Sequence, residues 1–265
     1  MDEGLIRLGV FIGLFALFAA METYAPRRER SQTRVARWTT NWAFSFANMA
    51  TLRALAFGLG MPLLAVAAAY DANANGWGLF NTLGWPSVLE VVICILILDF
   101  AIWLQHLITH KVPLLWRLHQ VHHADVDIDV TTAIRFHPIE IALSMVLKIG
   151  LVYLLGPAAL AVVLFEIILN GAAMFNHANI KLPLAVDAIV RRVLVTPDMH
   201  RVHHSVHREE HDSNYGFSLS IWDQMFGTYI PQPAAGHDEM QIGLRWQDER
   251  PSKLGWSMAM PFRRK

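Results

Sequence analysis

A single cysteine, Cys94, stands in 265 residues. A lone thiol excludes an intramolecular disulfide framework, a CxxC redox pair and a cysteine-held iron–sulfur cluster, so any electrons the chain uses come from elsewhere. Charge is also scarce, at 17% of residues against roughly 25% in an ordinary soluble domain. The 22 basic and 22 acidic side chains cancel, which leaves neither a basic field for nucleic acid nor an acidic tail. Several motifs are missing too: His-Glu-x-x-His, Gly-x-Ser-x-Gly, a phosphate-cradling glycine loop, a Rossmann fingerprint, and the Glu-x-x-His pair of carboxylate-bridged di-iron bundles. Their absence removes support for zinc proteases, serine hydrolases and nucleotide-binding enzymes.

What the chain has is apolar residues, 54% of the total with a mean hydropathy of +0.33, and histidines, thirteen in all. The first hundred residues and the stretch 138–175 are nearly free of charge between basic clusters, the pattern of a polytopic membrane protein. A bilayer core needs about 20 apolar residues per helix. Segments 5–24, 42–70 (with breaks at Gly58, Gly60 and Pro62) and 87–109 meet that need. A fourth, 139–175, is split by Gly156-Pro157 into a helical hairpin that either spans or re-enters. The first segment begins acidic and is followed by arginines, the reverse of a secretory leader, and is expected to remain as an anchor.

Five arginines, Arg27, Arg28, Arg30, Arg34 and Arg37, lie between the first two spans, while residues 71–84 hold none. Basic loops face the cytoplasm. That rule puts residues 25–40, the segment from His106 to His123, and residues 177–265 with Arg191, Arg192, Arg201 and Arg263-Arg264-Lys265 on one cytoplasmic side. The expected fold is all-α: a polytopic membrane helical bundle under a cytoplasmic helical cap. Residues 1–85 are read as N-terminal transmembrane helices, 86–230 as the unit of transmembrane helices and histidine-rich cap, and 231–265 as a cytoplasmic tail.

Twelve of the thirteen histidines fall between His106 and His211. His106 and His110 share a helix face at the end of the third span. His119, His122 and His123 spell H-x-x-H-H, and His200, His203 and His204 spell it again about eighty residues on. One ion takes four to six ligands, so eight imidazoles on three helical faces suit two ions. His177, at the hairpin's return, is read either as a ninth ligand or as a helix cap. His137, at its opening, is read either as a ligand or as a hydrogen-bonding support for one. His207, His211 and His237 lack helical spacing with a cluster and are read as surface residues. Asp99, one helical face below His106 inside the third span, is expected to orient a ligand, or else to pair with a group such as Arg53, the only basic residue of the second span, which can also snorkel. Glu140 and Glu166 flank the hairpin and can bind metal or substrate.

These residues resemble the fatty acid hydroxylase and sterol desaturase superfamily of histidine-rich membrane di-iron enzymes. The likeness rests on Asp99 through His110, Trp116-Arg117-Leu118-His119 through His123, Arg135-Phe136-His137-Pro138 with Glu140, Asn176-His177, Thr196-Pro197-Asp198-Met199-His200 through His204, and Asn214-Tyr215-Gly216 through Trp222-Asp223 to Tyr229. Leu107 departs from the arginine of many members, and His177 stands alone where fatty acyl members have a pair. The resemblance implies two iron ions, replaceable by zinc in a purified form, that use dioxygen and external electrons to hydroxylate or desaturate a lipid C–H bond. It also implies a reductase, ferredoxin or cytochrome as donor, reaching a basic face near Arg191, Arg192 and Arg201, and an apolar slot that Phe217, Trp222, Phe226 and Tyr229 line or brace. Arginine outnumbers lysine 17 to 5, which points to a bacterial cytoplasmic membrane. A zinc-dependent membrane hydrolase, active without oxygen, is the competing enzyme; a metal transporter or sensor, with histidines at mid-membrane depth, is the competing non-enzyme.

Overall fold

The computed structural model describes residues 3–61, 64–246 and 248–263. Fourteen α-helices are found among them: α1 (Glu3–Tyr24), α2 (Arg34–Leu59), α3 (Leu64–Ala74), α4 (Leu79–Leu83), α5 (Ser87–Lys111), α6 (Pro113–His123), α7 (Pro138–Leu155), α8 (Ala159–His177), α9 (Leu184–Val190), α10 (Pro197–His203), α11 (Arg208–His211), α12 (Ile221–Met225), α13 (Gly236–Glu239) and α14 (Leu254–Ala259). The described residues form no strands, only three isolated bridges.

Five helical stretches are long and apolar enough to cross a membrane: α1, α2 with α3, α5, α7 and α8. The protein is a multi-pass membrane protein. The second span is broken as its glycines predict: α2 ends at Gly60, which takes the left-handed φ of +69°, and α3 resumes at Leu64. The expected break at Pro62 lies outside the described residues. The hairpin is two full helices of 18 and 19 residues, each about 27 Å long and so close to the roughly 30 Å core. Pro138 sits in the first turn of α7 and Gly156 ends it at φ +61°. Trp77 and Gly78 approach the Gly156 backbone so closely that a Cβ there would strike the Trp77 carbonyl. Only glycine satisfies both demands.

Contacts at the helix ends divide the molecule. At one end, the Asn73 amide donates to the Pro157 carbonyl (2.7 Å) and the Tyr153 hydroxyl to Asp71 (2.8 Å). At the other, Glu22 of α1 accepts from the backbone N–H of Val130 (2.6 Å) and Asn179 (2.8 Å). The basic loop after α1, the loop after α6 and the segment after α8 therefore meet at one end of the bundle, the end that bears the histidines. Between the ends α8 packs on α1, α5 and α3, and α7 on α2 and α3, around cores that include Val66, Val152 and Val162, and Leu98, Ala161 and Phe165.

The histidine-bearing end is locked by buried ions. Arg37 of α2 donates from Nε and Nη2 to Asp125 (2.7 and 2.8 Å) and from Nη1 to Asp129 (2.5 Å), with 1% of its surface exposed. Burial alone would raise the Asp125 carboxyl, but Arg37 and Arg135 bring it down to about 2. Arg135 in turn donates to the Val121 carbonyl (2.8 Å), Asn41 (2.8 Å), the Pro251 carbonyl (2.9 Å) and Ser257 (2.9 Å). The last two partners show that the segment around Pro251 and Ser257 folds back into the cap. Met260 joins Phe44, Val121 and Ala124 in one apolar cluster.

An arginine paired with two aspartates this deep is a point of failure, because truncating it strands both carboxylates. Arg37→Ala is expected to destabilise the protein by about 3–5 kcal/mol, read as a loss of thermal stability in detergent. The exposed pair Arg250–Asp248 is the control, with Asp248→Asn changing stability by less than about 1 kcal/mol.

Candidate metal centre

Four helices bring nine imidazoles together. α5 carries His106 and His110 in its last turns, α6 ends on His119, His122 and His123, α8 ends on His177, and α10 carries His200 and His203 with His204 as its C-cap. α10 is short but well started: Thr196 accepts from the Met199 N–H (3.3 Å) and Pro197 fills the first turn. All nine rings are buried. They fall into two groups, His106, His110, His119, His123 and His203 in one, and His122, His177, His200 and His204 in the other. Within each group the ligand atoms lie within 4.8 Å of one another.

The two triplets split in opposite ways. From α6, the i, i+4 pair His119 and His123 enters the first group and His122 the second. From α10, the pair His200 and His204 enters the second and His203 the first. Each helix end thus reaches both groups, because side chains three and four residues apart diverge around the helix axis.

Ring tautomers follow from acceptor-only partners. Nδ1 of His106 meets the Tyr215 carbonyl (2.7 Å), Nδ1 of His119 the Glu140 carboxylate (2.6 Å), Nδ1 of His122 the Arg135 carbonyl (3.2 Å), Nδ1 of His177 the Ala173 carbonyl (2.7 Å) and Nδ1 of His203 the Ser213 carbonyl (2.7 Å). In each ring Nδ1 carries the hydrogen and donates it, so Nε2 presents a lone pair. Those lone pairs then confront each other: Nε2 of His106 and His119 are 3.0 Å apart, as are Nε2 of His122 and His177. Two lone pairs at that distance repel unless a cation lies between. Two nitrogens each about 2.1 Å from an ion and at right angles around it are about 3.0 Å apart, so the donor set fits a metal. Nε2 of His203 and both ring nitrogens of His110, His123 and His204 are buried without a hydrogen-bonding partner, as ligands in waiting would be.

Burial, reinforced by repulsion from neighbouring rings, holds His122, His123, His200 and His204 well below the usual imidazole range. Burial does the same to His203, against the pull of the Ser213 carbonyl. At neutral pH these rings are uncharged and free to ligate.

Carboxylates brace these rings from outside. Glu140 holds His119 directly. Asp223, whose role the sequence does not disclose, accepts from the N–H of Tyr215 (2.9 Å) and Gly216 (2.8 Å), from Trp103 Nε1 (3.0 Å) and from the Thr228 hydroxyl (2.6 Å). It fixes the carbonyl on which His106 leans. A cluster of backbone donors from a Gly-containing turn before Trp222-Asp223 is the one sequence signal that could have suggested it.

Several expected residues sit elsewhere. Asp99 does not meet His106; seven residues are about 10.5 Å of helix, beyond a carboxylate's reach. Its Oδ2 accepts instead from Trp222 Nε1 (2.8 Å) and the Leu219 N–H (3.3 Å). Nor is Arg53 its partner. His137 stands outside both groups, because its Nδ1 caps α7 by accepting from the Ile139 N–H (3.2 Å) and its ring packs on Phe262. His207 is exposed as expected, but His237 is buried, with Nε2 3.6 Å from Asp198, and His211 is half-buried, stacked on Trp116 and grouped with His110 and Asp212. Arg201 belongs to no surface patch: it is wholly buried and ion-paired with Asp198. Of the tail aromatics, Phe217 lies against His106, Trp222 and Phe226 pack on Phe100, and Tyr229 meets Arg191. Arg264 and Lys265 lie outside the described residues.

A cavity of about 500 Å³ opens among α1, α2, α5, α7 and α8. Its upper end is formed by His106, His119 and Glu140, with Phe217 and Phe136 beside them, and its walls by apolar side chains such as Met49, Leu52 and Ile141. A second cavity, about 400 Å³ and almost wholly apolar, lies between α5, α6 and α7.

Comparison with known proteins agrees with this architecture. A family model described as fatty acid hydroxylase matches residues 91–228. Ornithine lipid hydroxylase OlsE of Rhizobium tropici is 27% identical over 237 residues, covering 88% of this chain and 70% of the relative. Alkylglycerol monooxygenase of Homo sapiens is 31% identical over 160 residues, or 58% of this chain and 34% of the relative. A cholesterol 25-hydroxylase-like protein of Danio rerio is 30% identical over 153 residues, or 54% of this chain and 58% of the relative. The chain thus spans about a third of the alkylglycerol monooxygenase it matches. No solved structure matches it significantly.

Two outcomes follow from the geometry. Glu140→Gln keeps the shape but weakens the acceptor behind His119, and is expected to lower the affinity for a divalent ion about 10–100-fold, measured by titrating metal-stripped protein with cobalt or zinc. In the metal-free protein, His122, His123, His200, His203 and His204 take up protons only well below the ordinary imidazole value of about 6.5, whereas the unfolded chain takes them up at that value. The unfolded state therefore binds more protons as the pH falls below about 6.5, and stability, full above that pH, is lost progressively beneath it. Thermal midpoints of the stripped protein recorded downward from neutral pH check the sign; a midpoint that rises on acidification contradicts it.

Proposed function

The chain belongs to the fatty acid hydroxylase family, and from that premise we propose that it is a membrane di-iron oxygenase that hydroxylates, or desaturates, an unactivated C–H bond of a lipid. The observation that carries this reading is the gathering of nine imidazoles into two groups with no carboxylate among them, of which His106 and His119 stand at the head of a cavity whose walls are largely apolar. His106, His110, His119, His123 and His203 would hold one ion, and His122, His177, His200 and His204 the other. Imidazole suits iron as well as zinc, and the reaction chosen by the relatives' names, hydroxylation and monooxygenation, calls for a redox metal. The bound iron pair supplies activation of dioxygen with two electrons. The net change is R–H + O2 + 2e⁻ + 2H⁺ → R–OH + H2O.

The remaining work falls to the chain. The Nδ1 donors of His106, His119, His122, His177 and His203 are each spent on a fixed oxygen, so every one of these rings is turned with its lone pair inward before a metal arrives. Glu140 and, through Tyr215, Asp223 hold this orientation. Phe136 stacks on His122 (centroids 4.4 Å) and Phe217 lies tilted against His106 (4.9 Å), and together they would keep water from these rings. The cavity lies among the spans, so a lipid chain reaches it from the bilayer while the cap closes over the metals. His137 would serve by capping α7 and so positioning Glu140, three residues on. Asp99 would serve by holding the Leu219–Trp222 turn beside Asp223.

Residues 86–230 form the catalytic unit in this reading, supported by the extent of the family match, with residues 1–85 as membrane helices around the cavity. The arginines of the first loop favour a cytoplasmic position for the histidine end, in a bacterial cytoplasmic membrane. Electrons would arrive from a reductase, ferredoxin or cytochrome.

The test is lipid analysis of host cells with and without the gene under labelled dioxygen. A hydroxylase adds one oxygen atom derived from the gas, a desaturase removes two hydrogens, and a hydrolase acts equally well without oxygen. His203→Ala is expected to abolish the oxidised product and to reduce bound metal by about one ion per chain, with membrane insertion unchanged. Full turnover with full metal content would refute the ligand assignment.

A further inference from the structure

We propose that the cavity selects an amphiphile with an anionic head, a carboxylate or phosphate, which Arg53 holds with help from Lys148 and Arg7 while the apolar chain runs to the histidines. The use of the cavity as a substrate site rests on the oxygenase reading above; the anion preference is a binding property that stands apart from it.

Four charged side chains line the cavity away from its histidine end: Arg7, Arg53, Lys148 and Glu166. Glu166 is buried and is shared between Lys148 (Nζ to Oε1, 2.9 Å) and Arg7, which pairs with its other oxygen. Three cations thus face one carboxylate. Arg53 is exposed into this space, and among the described residues it makes no hydrogen bond or ion pair. A guanidinium cannot shed its proton, and an unpaired one at membrane depth is costly. Surplus positive charge on an apolar wall is relieved by an anion brought in from outside.

The placement also separates head from reaction centre. Asn48 of α2 donates to the Phe136 carbonyl (3.1 Å), level with the ring that stacks on His122, and Arg53 stands about 8 Å further along α2. Lys148 stands about 12 Å along α7 from Glu140, which touches His119. An anion held by these cations is kept off the metal ligands, and a carbon of the chain, not the head group, is presented there. Arg7 and Lys148 already share a carboxylate, so Arg53 contributes the largest part of the recognition and its planar fork suits either anion.

The experiment uses the purified full-length protein in detergent and compares equilibrium binding of hexadecyl phosphate with that of hexadecanol, which has the same chain and no charge. The expected preference for the phosphate is at least about tenfold, with hexadecanol competing for the same site and inorganic phosphate failing to compete at equal concentration. R53Q is expected to remove the preference while keeping hexadecanol affinity within about twofold, and R53K to restore part of it. Equal affinity for the two ligands in the unaltered protein, a preference that survives R53Q, competition by inorganic phosphate alone, or binding that hexadecanol does not displace, as a bilayer lipid held on the outer face of α2 would show, overturns the proposal. The unaltered protein decides the matter by itself if R53Q does not fold. Should the preference hold while no lipid gains oxygen, the oxygenase reading falls and the anion site stands; should oxygen be inserted without the preference, the reverse is true.

Discussion

Imidazole lone pairs set face to face at 3.0 Å are the constraint from which the rest of this structure follows. Such an arrangement is repulsive in the absence of a cation, so it is imposed by the scaffold and not chosen by the rings. The scaffold imposes it through the far side of each ring, where a fixed carbonyl or carboxylate takes the Nδ1 hydrogen and leaves no alternative tautomer. Those oxygens belong to segments outside the helix that carries each ring: Tyr215 for His106, Glu140 for His119, Arg135 for His122 and Ser213 for His203. The centre is therefore as rigid as the cap that surrounds it.

That rigidity explains the unusual polar content of the histidine end. Arg37, Arg135 and Arg201 are among the most buried side chains in the molecule. A surface ion pair would contribute little, but a buried arginine satisfied by several oxygens ties loops together at defined angles. Arg37 joins the second span to the loop after α6, Arg135 joins that loop to α6 and to the C-terminal segment, and Asp223 joins α5 to the turn beneath His106. Apolar packing between spans sets the helices side by side. The polar network sets their ends in register, and register is what a ligand set requires.

The same division of labour runs into the cavity. Its head is made by His106, His119 and their aromatic neighbours, and its walls by the inner faces of α1, α2, α5, α7 and α8. Those walls also carry Arg53, Lys148 and Arg7.

By itself the sequence determined most of the elements: three spans and a split hairpin follow from apolar length, a basic end from the loop arginines, and a shared helical face from each i, i+4 histidine pair, because these depend on periodicity and composition along a single segment. That both halves of the hairpin are full-length helices came from the structure. The sequence did not determine which rings would meet. That His122 parts from His123, that Asp99 serves a tryptophan two turns below His106, that His237 is buried beside Asp198, and that Asp223 supports a ligand from 117 residues away are all products of how helix ends are rotated and stacked against one another. Rotation and stacking are set by long-range packing, whose energy is spread over many side chains and leaves no local pattern to read. Only the tertiary structure could turn a repeated H-x-x-H-H spelling into two sites, since one helix turn points its histidines at both and the neighbours decide which ring goes where.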